Sequence, residues 1–191
     1  MTDITYAPRP ASRSAWRIFG WTAAGCLVLA PLVAMQFTRE VQWDAFDFLV
    51  FGGMVLFAGL GLEALLRRSG GVAYRTGAAL TTLGLFLLVW VNLAVGIIGS
   101  EDNPANLLVA GVIAIGIGGA IVTRGRAVGM ARVLGVMAIV QAAIAGFAVI
   151  AGIGTDGPIW PRDVIGANGM FVVIWMAAAA LFHLAARRAT N

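Results

Sequence analysis

The chain has 191 residues, 60% of them hydrophobic and only 12% charged, where a soluble domain carries about a quarter charged residues. All thirteen basic residues are arginine, which excludes lysine-imine chemistry, and the single cysteine and histidine, Cys26 and His183, exclude intramolecular disulfides, multi-histidine metal centres and a bis-histidine haem. The net charge of +4 would suit nucleic acid, but membrane proteins gather arginine on cytoplasmic loops for topological reasons. The lipid bilayer is therefore the expected partner, and no nucleic acid is.

In chain order, residues 1–15 read as a polar N-terminal arm. Residues 16–188 read as one transmembrane domain with six spans, and 189–191 as a C-terminal tail. Runs of about 18 or more apolar residues are long enough to cross the hydrocarbon core. The first span covers 17–37 and contains Pro31, which is expected to kink it. Its apolar run is long and Leu32-Val33-Ala34 is a poor cleavage site, so it is read as retained, not as a signal peptide. The second covers 45–66, the third 76–99, the fourth 105–123, the fifth 132–153 and the sixth 164–186.

The loops test this division. Arg9, Arg13, Arg17, Arg67, Arg68, Arg75, Arg124, Arg126, Arg132, Arg187 and Arg188, eleven of the thirteen, fall on one side. Arg39 and Arg162 fall on the other, with Glu40, Asp44, Asp47, Glu101, Asp102, Asp156 and Asp163. The positive-inside rule then gives an all-α polytopic protein with both termini cytoplasmic, in a bacterial inner membrane. Trp16 and Trp21 at one interface and Trp43 and Trp160 at the other form an aromatic belt, while Trp90 and Trp175 sit mid-span.

Between the third and fourth spans stands Asn103-Pro104-Ala105. This resembles the N-P-A motif of aquaporins, in which two copies cap half-helices meeting at mid-membrane. Here there is one copy, after the third span, in a connection too short to dip into the bilayer and return. The tripeptide is read as a helix start: Asn103 as N-cap, Pro104 in the first helical position, Glu101 and Asp102 near the positive end. The longer string VNLAVGIIGSEDNPANL, about a sixth of the chain, looks like the core of a group of small, uncharacterised bacterial membrane proteins. That resemblance implies a fold and no activity.

Gly152-Ile153-Gly154-Thr155-Asp156-Gly157 matches G-x-G-x-x-G, but it closes a membrane helix instead of joining a strand to a helix, and it is read as a turn. Gly59-Leu60-Gly61-Leu62-Glu63-Ala64 fails for the same reason. Ala110, Ala114 and Gly118 in the fourth span, and Ala138, Ala142 and Gly146 in the fifth, recur every four residues. These stripes are expected to let the two helices pack closely.

Ionisable and amide groups within spans are the candidate intramembrane sites. Glu63 and His183 lie at similar depth and could form a proton-binding pair; the expected arrangement is Glu63 with Arg67 at i+4. Asn92, Gln141 and Asn168 suit interhelical hydrogen bonds, with a ligand site as the alternative. Asp44, Asp47, Glu101 and Asp102 head an acidic periplasmic group that could bind a hard cation, although a solvated surface is the expected reading. No catalytic constellation stands out, and neither cofactor nor metal is expected.

Phe86-Leu-Leu-Val-Trp90 and Phe171-Val-Val-Ile-Trp175 repeat at an offset of 85 residues, and Ala24-Gly25 and Ala110-Gly111 at 86. Three-span halves related this way would form an inverted repeat, a transporter pattern. The sequence thus points first to a non-enzymatic accessory or assembly subunit, partnered by other membrane subunits or by itself. A small-solute or ion transporter is the alternative.

Overall fold

The computed structural model describes residues 13–68, 71–155, 157 and 159–189, with side chains from Arg17 onward. Most of the expected N-terminal arm, the side chains of Arg13, Ser14 and Trp16, Asp156 and the end of the tail lie outside the described residues. Six helices, each long and apolar enough to cross a bilayer, make up the fold, and there is no strand among the described residues. They are α1 (Arg13–Ala34), α2 (Ala45–Leu66), α3 (Val72–Ala94), α4 (Leu108–Val122), α5 (Ala127–Ile150) and α6 (Arg162–Arg188), with a short 3-10 helix, Pro104–Leu107, before α4. Contacts within the chain gather into two compact units whose boundary falls inside α2, at Gly59 and Leu60.

In the first unit, local chemistry sets the start of α2. Asp44 Oδ1 accepts from the backbone N–H groups of Phe46 and Asp47 at 2.8 and 2.9 Å, while Asp47 Oδ2 accepts from the Asp44 N–H at 3.0 Å. This reciprocal capping box satisfies free donors of the first turn. Trp43, just before the cap, packs edge-on against Phe48 with ring centroids 5.3 Å apart, the hydrophobic staple that fixes the entry of the chain. Gly59 faces Trp21 of α1: a Cβ there would lie 2.9 Å from the indole.

The second unit is built on α3 to α6, with a core that includes Leu88, Val112, Leu134, Met137, Phe171, Trp175 and Phe182. α3 and α6 run antiparallel, with Gly77 against Leu181 and Phe182, and Gly84 against Ile174 and Trp175. Both glycines bring a backbone against a large side chain; a Cβ at Gly84 would sit 2.7 Å from Trp175. At one end, the Tyr74 hydroxyl donates to the Gly125 carbonyl at 2.6 Å and its ring packs edge-on against Phe182. The arginines at the start of α3, in the α4–α5 turn and at the end of α6 therefore share one end of this unit.

α4 and α5 do pack together, but not through the expected stripes. Gly118 and Gly146 face open space, and Ala110, Ala114 and Ala142 are exposed. The close approach is made by Gly116, whose Cβ would lie 3.1 Å from Met137, and by Gly119, whose Cβ would lie 2.5 Å from Val133. Helical geometry explains the correction. At about 3.6 residues per turn, a strict four-residue repeat drifts about 40° around the helix at each step. The buried positions of the 3-10 turn and α4, Asn106, Val109, Val112 and Gly116, step by three, three and four residues and stay on one face.

α3 stops at Ala94, five residues before the expected end of the third span. Gly96 and Gly99 both adopt left-handed backbone, φ 73° and 72°, and carry the chain into a loop. Ile97 and Ile98 are buried all the same, so the apolar run continues through a folded-back loop instead of a helix.

Candidate functional site

α5 and α6 carry the two deepest amides. Gln141 and Asn168 have no exposed surface. Asn168 Nδ2 donates to the Val164 carbonyl at 2.8 Å, one turn back on α6, which aims its Oδ1 across the interface. Gln141 Nε2 donates to that Oδ1 at 2.7 Å. The direction of each bond is fixed by the one before it, since a backbone carbonyl can only accept. Gln141 Oε1 is consequently turned away from Asn168 and has no hydrogen-bond partner.

Two more buried polar atoms are without a partner: Trp175 Nε1 and Asn92 Oδ1. Trp175 is fully buried, stacked against Phe171 with ring centroids 6.2 Å apart. Its position follows from Gly84, which leaves room for the indole. Asn92 lies eight residues beyond Gly84 on α3, and Asn168 seven residues before Trp175 on the antiparallel α6. These are advances of about 12 and 10.5 Å, so Asn92 and Asn168 stand at one level. The structure thus joins Gln141 to Asn168 and sets Asn92 at about their level on α3, while Trp175, which the sequence marked only as a mid-span aromatic, lies about two turns away on α6. A buried polar group without a partner costs roughly 1–3 kcal/mol.

Over this end of the unit folds the loop between α3 and α4, organised by Asn106. Its Oδ1 accepts from the backbone N–H groups of Ile97 and Ile98, both at 2.9 Å, and its Nδ2 donates to the Ser100 carbonyl at 2.8 Å. Asn103 Oδ1 accepts from the Ala105 N–H at 3.0 Å, with Pro104 following. It is a cap, but of the 3-10 turn that leads into α4. Gly154, φ 83°, seats the α5–α6 loop against Gly99 and Ile98, where a Cβ would lie 2.9 Å from the Gly99 nitrogen. Asn106 escaped sequence reasoning although it is the fourth residue of N-P-A-N; its partners are apolar residues nine and eight positions earlier.

The remaining candidates are not part of this layer. Glu63 Oε1 accepts from Arg67 Nη2 at 2.7 Å, and His183 is exposed on α6. Asp44 and Asp47 cap α2, and Glu101 and Asp102 are exposed in the turn before Asn103. Among the described residues no group of three or more histidine, cysteine or carboxylate side chains is placed to hold a metal. The repeated strings end in unequal surroundings, Trp175 fully buried and Trp90 partly exposed. Comparison of the chain with protein families, curated proteins and solved structures gave no match. The site must be read from its own chemistry. What that chemistry offers is neutral: amide oxygens, amide N–H groups and one indole N–H, suited to hydrogen bonding between helices.

Proposed function

We propose that this protein is a non-enzymatic accessory or assembly subunit of a larger membrane complex. Its setting is a bacterial inner membrane, with both termini cytoplasmic as the arginine distribution indicates. The observation that carries this reading is the character of the second unit's interior. The buried polar residues among those described are Thr81, Asn106, Gln141 and Asn168, all neutral. Two of them bond to each other and one ties down a loop. A transported ion or acid would call for charged or water-lined groups through the spans. Small residues such as Gly111, Gly118 and Gly146, with nothing packed on them, give faces that another helix can approach closely.

Purification in a mild detergent tests the proposal. A stoichiometric membrane partner supports it. A homo-oligomer that conducts a solute in liposomes favours the transporter reading, for which the unpartnered atoms of Gln141, Asn92 and Trp175 are the supporting observation.

A further inference from the structure

Three arginines surround Gly125, in the turn between α4 and α5. The glycine is buried against the end of α2 and the start of α3. A Cβ on it would lie 3.1 Å from Leu65 Cδ2 and 3.6 Å from Arg68 Cγ, and its carbonyl accepts from the Tyr74 hydroxyl. Arg124 and Arg126 flank it in the chain, so the stem of Arg68 lies against the turn that carries them. All three arginines are exposed. Of the second unit's described carboxylates, Glu101, Asp102 and Asp163 lie at the opposite end of the helices, and Glu63 accepts from Arg67 at 2.7 Å. No described carboxylate of this unit is left to balance Arg68, Arg124 and Arg126.

Topology asks only that arginines stay on this side of the membrane, and any exposed position satisfies it. Arg124 goes further. It adopts left-handed backbone, φ 52°, beside Gly125 at 67°. That conformation crowds the Cβ of an L residue, and helices that simply end leave it to glycine or asparagine. Backbone strain of this kind points to function. The neighbours decide the kind of anion. Ile121 and Val122, the last residues of α4, and Val128, at the start of α5, are exposed on either side of the turn. A guanidinium presents a flat fork of N–H donors that matches phosphate oxygens. Such donors bordered by exposed aliphatic side chains suit a molecule with an anionic head and acyl tails, whereas a free phosphate leaves the aliphatic border unused.

We propose that Arg68, Arg124 and Arg126 bind the phosphate of an anionic phospholipid whose acyl chains lie along Ile121, Val122 and Val128. Basic groups at the headgroup end of membrane helices recognise anionic lipids in this way.

Native mass spectrometry of the full chain in a mild detergent, titrated separately with phosphatidylglycerol, phosphatidylcholine and soluble glycerol phosphate, tests the proposal. Phosphatidylglycerol is expected to be retained in preference to both. Arg124→Gly should lower its retention about fivefold, the contribution of one basic residue near an anionic surface. That variant should melt no lower than the parent, since glycine relieves the left-handed backbone. Arg68→Gln, Arg124→Gln and Arg126→Gln combined should lower retention by more than about tenfold. The combination of Arg75→Gln, Arg132→Gln and Arg188→Gln removes the same charge from the same end and should leave retention nearly unchanged. Equal retention of the two lipids overturns the proposal, as does equal loss in the two triple variants, because charge alone would then suffice. Displacement of the lipid by an equal concentration of glycerol phosphate overturns it in favour of a free phosphate. An acidic protein lost with the three arginines while phosphatidylglycerol retention is unchanged overturns it in favour of a protein contact. Should the triple variants fail to fold, unchanged retention in Arg124→Gly overturns the site by itself.

Discussion

In the first unit, the span Arg17–Ala34 buries none of its residues, whereas Ala127–Ile150 in the second buries a third of its most apolar window. Both are apolar enough to enter a bilayer, so hydropathy alone does not separate them. What separates them is where small and amide residues recur. On α5 the buried positions Met130, Leu134, Met137, Gln141, Ile144 and Ala148 advance by threes and fours along one face, with Ala138 beside Met137. On α1, Gly20 and Gly25 have nothing packed on them. In lipid there is no hydrophobic gain from pressing one apolar helix on another, so close packing and hydrogen bonds decide which helices associate. The comparison teaches that a span's apolar character places it in the membrane, and its small and polar positions place it in the fold.

The largest expected effect comes from removing the residue that closes the second unit. Asn106→Ala leaves the Ile97 and Ile98 N–H groups without their acceptor, and each such loss costs roughly 1–3 kcal/mol. A destabilisation of about 2–4 kcal/mol is expected in denaturant unfolding. A variant as stable as the parent would mean that the loop is held by other contacts.

The α4 glycines sharpen the contrast between packed and unpacked faces. Gly119→Leu drives a side chain into Val133 and should cost on the order of 1–3 kcal/mol. Gly118→Leu, one residue away in open space, should change stability by no more than about 0.5 kcal/mol, as surface substitutions usually do. Equal melting of the two variants would erase the distinction between the faces. Reversal of the order would restore the four-residue stripe.

A smaller effect is expected at the cap. Asn103→Ala should cost roughly 0.5–2 kcal/mol, and Asn103→Asp or Asn103→Ser should restore most of it, because each offers an acceptor to the Ala105 N–H. Failure of both to restore stability would show that Asn103 does more than cap.

The six spans were legible because about 20 consecutive apolar residues have few other uses. The cap at Asn103 was legible too, since its partner is two residues away and N-cap chemistry is local. The end of α3 was not. Gly96 to Ile98 is as apolar as a helix and as buried as one, and only the two glycines with positive φ betray the loop. The register of α4 on α5 was missed because a four-residue repeat suggests a stripe that the helix itself rotates away from the partner. Gln141 and Asn168 were legible as candidates for pairing, yet the direction of their bond depends on the Val164 carbonyl, which no side-chain pattern records. Asn106 could not be singled out, since it bonds backbone groups of Ile97, Ile98 and Ser100 that only the folded chain brings near.

The central claim is that the deepest amides lock α5 to α6. A double-mutant cycle on Gln141→Leu and Asn168→Leu, with unfolding free energies read in one bilayer-like medium, tests it most directly. A favourable coupling of about 0.6–1.7 kcal/mol is predicted, the range for interhelical hydrogen bonds between membrane helices. Strictly additive effects, with each single variant as stable as the parent, would contradict the claim and return these amides to the transport reading.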